Sequence, residues 1–520
     1  MVSLFGNSKR IAVSLCVASS TVAFVGLSGT ANASVLDAGP TSVNVAGITI
    51  LWPTLDPATD SQSGSDIDLM NSIYGELFES GKGGKIVPDI ASGYKITDGG
   101  RLVTITLRPG VKFSDGTPLN AAAAVSSMTR ALQPSALSAP SLQALDITSA
   151  TKVSNLKFSL HLSQPLAAIM TGIQGTAANW VVDPTALQKM GTTAYGQKPV
   201  GAGPFTVKSN TASSSISLVK NPNYWEKGHP FLQSITYSSV GTAPSAYLSL
   251  QSGSTNVITG PLDPSTSTSA RSAKELMTTP GVTTIGEQLN TTIPPFNNAD
   301  IRQAAYYATD SKSLVKSVGL NLGTVSQSFG GPGTLFWEKT VPGYRSYNPA
   351  KAKQLVAASG LKPSVTITTT GNPAEVWAEA IANEWTAVGI NAKVLLISRQ
   401  QLVANYSNHN WTSAIQLFGS GDPSLGIGGT QQRLASTGQF SGIKDPKLDK
   451  LLIEASTISN PEKRQKLYSQ AWSYLNQKAY LPFVGSIPLT IVVSSADKAA
   501  IQPAVTEQNG LLVTEWENVK

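Results

Sequence analysis

Hydrophobic and polar positions alternate with period two in Leu102-Val103-Thr104-Ile105-Thr106-Leu107, closed by Arg108-Pro109-Gly110, which predicts a half-buried strand ending in a turn. Val365 to Thr368 and Val394 to Ile397 are β-branched or aliphatic runs. They flank a helical pattern from about Ala374 to Val388 that stops at Gly389. That order predicts a βαβ unit and hence a mixed or parallel sheet. Asn348-Pro349, Asp445-Pro446 and Asn460-Pro461 each place a capping side chain before Pro at the first helical position. The apolar residues that follow, among them Leu448, Leu451 and Leu452, then Leu467, Ala471, Trp472 and Leu475, share one helical face. These stripes face a core, and Trp472 takes no ligand role. No repeat of solenoid length interrupts the alternation.

The first residues break this pattern. Lys9 and Arg10 precede an apolar run from Ile11 to Leu27, and Ala31-Asn32-Ala33 stands before Ser34. Basic, apolar and small-x-small segments in that order predict a secretory signal peptide over residues 1–33, cleaved after Ala33. A membrane anchor fits less well, because Gly26, Ser28 and Gly29 interrupt the end of an apolar run that is barely long enough. Lipidation of Cys16 is disfavoured by Leu15 before it and by the apolar residues after it. Cleavage leaves 487 residues at a net charge of +5 and removes the single Cys, so the remaining chain has no disulfide and no thiol chemistry. The product is expected outside the cytoplasmic membrane, periplasmic or extracellular. Charge is sparse, 13% of residues. One reading is adaptation to an acidic exterior, where carboxylates titrate. No stripe of Lys and Arg points to nucleic acid.

Enzymatic constellations are scarce. His161 lies in a strand-like run, His229 precedes Pro230, and His409 sits in a polar loop; none has a second ligand at metal spacing. Ser154-x-x-Lys157 and Ser495-x-x-Lys498 lack companion motifs. Gly81-Lys82-Gly83-Gly84-Lys85 lacks the spacing of a phosphate loop. Neither catalytic residues, a metal nor a cofactor is expected.

The block Asp98-Gly99-Gly100-Arg101-Leu102 through Leu107-Arg108-Pro109-Gly110-Val111-Lys112-Phe113-Ser114-Asp115-Gly116-Thr117-Pro118-Leu119, continuing to Ser127 and Arg130, resembles the signature of the family 5 extracellular solute-binding proteins of ABC transporters. Thr54-Leu55-Asp56-Pro57, Pro199-Val200-Gly201-Ala202-Gly203-Pro204-Phe205, Asn221 to Trp225 and Asp300 to Asp310 are similar to further blocks of that family in the same order. Residue by residue these motifs serve the scaffold: Asp115-Gly116 suits a turn, and Gly201 and Gly203 permit close backbone passage.

The resemblance implies an α/β protein of type II periplasmic-binding-protein-like fold, with two lobes joined by a hinge and an extra domain on the first lobe. Residues 34–80, 195–285 and 487–520 would form the first lobe, 81–194 the extra domain and 286–486 the second lobe. It further implies a monomer that closes over a peptide or other small-molecule solute and delivers it to an ABC permease with its ATPases. A nickel chelate or another non-peptide solute is the alternative, with His409 nearest the expected ligand loop; a secreted hydrolase on this scaffold is disfavoured.

In peptide-binding relatives a carboxylate of a second-lobe loop pairs with the ligand's ammonium, three residues before an acidic-Pro pair. Counting back from Asp422-Pro423 places Gly419 there. Asp422 either takes over the ammonium or sets the turn before Pro423. The expected contacts are Asp422, Phe418, Gly419, Ser420 and Ser424 in one jaw and Gln62, Ser63, Gly64 and Ser65 in the other. Trp411, with Trp52, is an aromatic candidate for the cleft wall.

Overall fold

In a computed structural model of the chain, the described residues are 42–48, 52–60, 67–80, 86–260, 262–278, 283–371, 374–419, 422–425, 429–488, 490–498, 502–506 and 510–517. Residues 1–33, which the sequence reads as a signal peptide, lie outside them, as do Gln62, Ser63, Gly64, Ser65 and Ser420.

The chain enters a first sheet at β1 (Ser42–Ile48) and leaves it for a hairpin of β2 (Phe78–Ser80) and β3 (Ile86–Pro88). A four-stranded sheet follows, built from β4 (Ala91–Thr97), β5 (Leu102–Leu107), β6 (Ile147–Ser154) and β7 (Lys157–Leu162) in the order β4-β5-β7-β6. The first sheet then takes β8 (Phe205–Thr211), β9 (Ser215–Lys220), β10 (Ser234–Val240), β11 (Val257–Thr259) and β12 (Leu276–Thr278). A second sheet collects β13 (Thr283–Leu289), β14 (Thr324–Val325), β15 (Ser364–Thr369), β16 (Asn391–Leu396), β17 (Ser413–Gly419) and β18 (Phe483–Ile487). The chain returns to the first sheet at β19 (Thr490–Val493), and β20 (Gln502–Thr506) pairs with β21 (Gly510–Glu517).

The first sheet runs β12-β19-β11-β1-β10-β9-β8 and the second β14-β18-β13-β17-β15-β16. In each, three neighbouring strands are parallel: β11, β1 and β10 in the first, β17, β15 and β16 in the second. The βαβ unit is present, since β15 and β16 pair in parallel across the helix Ala374–Thr386. The chain passes between the sheets from β12 to β13 and again from β18 to β19.

Local chemistry accounts for the elements. β5 alternates half-buried and buried residues, and Val103, Ile105 and Leu107 join the core of the four-stranded sheet. All three Pro-led helices are capped as their sequences predict: Asn348 accepts from Lys351 N, Asp445 from Lys447 N and Leu448 N, and Asn460 from Lys463 N. Trp472 is fully buried. Asp115 accepts from Thr117 N, and Gly116 supplies the left-handed φ of +92°. A Cβ on Gly203 would stand 2.5 Å from Gly75 N and 2.7 Å from Ser72 O, so the chain can pass here only as glycine. Among the described residues no helix is long and apolar enough to cross a membrane.

Candidate functional site

In open α/β sheets ligands bind beyond the carboxyl ends of parallel strands. Four such ends matter here. The loop after β1 starts the first jaw, and the loop after β17 starts the second; the ends of β11 and β15 lie beside them in their sheets.

Two Asp-Pro turns, at Asp56 and at Asp422, are pinned by the same device. In the first, Asp56 is fully buried, and the Arg130 guanidinium grips it with Nη1 at 2.6 Å from Oδ1 and Nη2 on Oδ2. Arg130 rides on the helix Ala121–Ala131, capped by Asn120. Asp56 also accepts from Ala58 N, so one carboxylate ties an Asp-Pro turn to a neighbouring helix. In the second jaw Asp422 is 2% exposed and receives Arg464 through Nη1 at 2.8 Å and Nη2 at 2.9 Å. Ser424 donates to Asp422 Oδ1 from its backbone N at 3.0 Å and from its hydroxyl at 2.7 Å.

Arg464 lies on the helix Pro461–Lys478, one turn before Tyr468 and two before Trp472. Its guanidinium packs over the Phe336 and Tyr468 rings, and its Nε donates to Ala455 O. The buried ion pair is thus supplied with the further hydrogen bonds that such pairs need.

These contacts supply the turn reading of Asp422 with its partners. Its carboxylate sets the turn at Pro423 and neutralises Arg464, and Ser424 is engaged in the same turn. Trp411 is not at a cleft wall: it is 4% exposed and packs with Tyr406, Ala414 and Phe440 in a small aromatic cluster of the second lobe. Trp52 is fully buried in the core of the first sheet. Phe418 and Gly419 end β17, paired with Thr284 and Thr283; their side-chain surroundings lie outside the described residues. His409 closes a helix with φ of +53° and is exposed.

The Asp422 turn runs into the four-stranded sheet. Leu425, directly after the Asp422 turn, is buried in the core of the four-stranded sheet, and a Cβ on Gly172 would stand 2.9 Å from its Cδ2. Nearby, Ala167 N donates to Ser456 O at 2.8 Å, again joining the two parts.

Sequence reasoning missed a set of buried polar groups without partners. The hydroxyl of Thr259, at the end of β11, and that of Thr369, at the end of β15, make no hydrogen bond. Neither do the Thr430 hydroxyl nor the side-chain amide of Gln174. A buried donor or acceptor left unpaired is costly, and these four share that state with buried groups elsewhere, among them Trp337 Nε1, Trp411 Nε1 and Ser486 Oγ. Single threonines and one glutamine carry no periodic signal, and no spacing could have found them.

Several carboxylates stand apart from this region. Burial pushes Glu287 up to about 8, against a hydrogen bond from Ser413, and Glu384 up to about 7. Burial likewise raises Glu76, and brings Asp89 to about 6. Among the described residues no group of three or more His, Cys, Asp or Glu side chains could hold a metal ion.

A mixed α/β scaffold of two sheets joined by two chain passages has the two-lobed fold of the type II periplasmic binding class. The pattern described as bacterial extracellular solute-binding proteins, family 5 Middle, matches residues 85–428, and the chain belongs to that family. It is 26% identical over 452 residues to the glutathione-binding protein GsiB of Salmonella typhi, covering 83% of this chain and 87% of that protein. Its fold matches HbpA2 of Haemophilus parasuis with a TM-score of 0.76 at 22% identity, over 91% of this chain and 99% of the other. A dipeptide-binding protein from Pseudoalteromonas sp. SM9913, in complex with Met-Leu, matches with a TM-score of 0.74 at 20% identity, over 90% and 98%.

Proposed function

We propose that the chain captures a peptide-like solute between its two lobes and hands it, chemically unaltered, to a membrane permease driven by cytoplasmic ATPases. The observation that carries this reading is the family match over residues 85–428 on a chain that builds two sheets and passes between them twice. The glutathione-binding relative and the neighbour holding Met-Leu support the same solute class.

The lobes take residues 34–80, 195–285 and 487–520 on one side and 286–486 on the other, with residues 81–194 as the extra domain. The passages from β12 to β13 and from β18 to β19 serve as the hinge. Closure is then a population shift whose size equals the solute's preference for the closed state. Capture needs no catalytic residue, and the protein acts as a monomer outside the cytoplasmic membrane after loss of residues 1–33.

Native mass spectrometry of the protein as purified tests this. A retained mass that fragments as a peptide is expected; a retained metal chelate or sugar would overturn the solute class.

A further inference from the structure

A cavity of about 340 Å³ lies where the β2–β3 hairpin, the turn after β5 and the loop between β9 and β10 come together. None of its lining residues belongs to the Asp56 or the Asp422 turn. Val87 lines it and is 40% exposed, so the cavity opens to solvent. Its size is at the small end of ligand-binding cavities.

Charges of both signs face this space without neutralising one another. Arg108 is held still: its Nε donates to Asp89 O, its Nη2 donates to Pro88 O at 3.2 Å, and its guanidinium lies 4.4 Å from the centre of the Trp225 ring. That leaves the Nη1 edge uncommitted among the described residues. Glu79 and Glu226 line the same cavity, and neither Arg108 nor Glu226 takes part in an ion pair among the described residues. Asp89 is a third carboxylate, but it is spent inside the fold, accepting from Trp225 Nε1 and from Glu76 N, both at 2.9 Å. Tyr224 stands among these groups. Burial raises its pKa and the charges of Asp89, Glu79 and Glu226 raise it further, so its hydroxyl keeps its proton. His229, the remaining titratable group of the lining, has its ring against Phe231.

A fixed guanidinium edge recognises a carboxylate, and carboxylates beside a phenolic hydroxyl recognise ammonium groups. Carboxylates outnumber the one fixed cation, which favours a guest of net positive charge over a neutral zwitterion.

We propose that this cavity is a second binding site, for a free basic amino acid of the lysine type. The guest's carboxylate meets Arg108, and its ammonium groups meet Glu226, Glu79 and the Tyr224 hydroxyl. This site is separate from the capture of a peptide-like solute and does not depend on it.

Equilibrium dialysis of the full chain, unfolded and refolded to empty it, against radiolabelled L-lysine should show saturable one-to-one binding. Cadaverine, which lacks the carboxylate, and L-norleucine, which lacks the side-chain ammonium, should compete at least tenfold less well. Glu226→Gln should weaken lysine binding at least tenfold and abolish the preference for lysine over norleucine, at an unchanged melting temperature, because Glu226 has no ion pair to lose. Tyr224→Phe, which keeps the ring, should weaken binding at least threefold and serves as the second variant. A mixture of short peptides should leave lysine in place, and both variants should capture those peptides as wild type does. Absence of saturable lysine binding, displacement of lysine by the peptides, equal binding of cadaverine and lysine, or undiminished lysine binding by folded Glu226→Gln would each overturn the proposal. Failure of wild-type protein to capture any peptide, with lysine binding still dependent on Glu226, would count against the proposed solute alone.

Discussion

The Asp422 carboxylate and the Arg464 guanidinium, 42 residues apart in the chain, form two parallel hydrogen bonds of 2.8 and 2.9 Å in a site nearly closed to solvent. Asp56 and Arg130 repeat the arrangement in the other jaw. The Asp-Pro turns at Asp56 and Asp422 therefore each have a carboxylate that fixes the loop to a helix.

Asp422→Ala should act mainly on stability. It leaves Arg464 buried without its partner, a change that costs about 3–5 kcal/mol. Urea unfolding should show that loss, and Asp422→Ala combined with Arg464→Met should recover most of it. A variant that unfolds like wild type yet no longer holds an amine-bearing peptide would instead place this carboxylate on the solute.

Leu425 is buried in the core of the four-stranded sheet. Leu425→Ala removes apolar burial against the four-stranded sheet, so the arrangement that makes this contact should weaken by about 2 kcal/mol. Calorimetric titration with short peptides should show an apparent affinity lowered by at least tenfold. An equal affinity would mean that this contact does not differ between open and closed forms.

Glu287 is fully buried, one oxygen bonded by the Ser413 hydroxyl and the other without a partner. Burial raises its pKa to about 8, against about 4.3 in an unfolded chain. Below the lower value both states carry the proton and stability does not depend on this group. Between the two values the unfolded state releases the proton while the folded state keeps it, so stability falls as pH rises, on the order of a few kcal/mol in all. Denaturant unfolding from pH 4 to 8 should show that fall, and Glu287→Gln should flatten it. Glu76, Asp89 and Glu384 are shifted in the same direction, which suits the acidic exterior that the sparse charge suggests. Steep loss of stability below pH 4 would contradict that adaptation.

Gly203→Ala should cost about 2–3 kcal/mol, because its new methyl group would press on Gly75 N and Ser72 O at 2.5 and 2.7 Å. Differential scanning calorimetry measures this. A neutral result would mean that the backbone at Ile73 to Gly75 yields.

How much of this was legible in the sequence depended on range. Capped helices, the βαβ unit and the Asp115-Gly116 turn rest on neighbours within a few residues, and their signals lie in the string itself. The commitment of Asp422 does not, because Arg464 reads locally as one more charge on an amphipathic helix and only the tertiary fold brings it over the turn. Trp411 is one aromatic candidate for the cleft wall in the sequence, yet it is buried in a cluster with Tyr406, Ala414 and Phe440, the last from elsewhere in the chain. Gln174 stands in a stretch of small residues, where only burial distinguishes it from a surface amide.

The most direct test is to incubate the purified, emptied protein with a mixture of short peptides, wash it, denature it and identify what is released by mass spectrometry. Intact peptides in one-to-one proportion with protein are the predicted result. Shortened fragments, or no bound peptide at all, would contradict capture without chemistry.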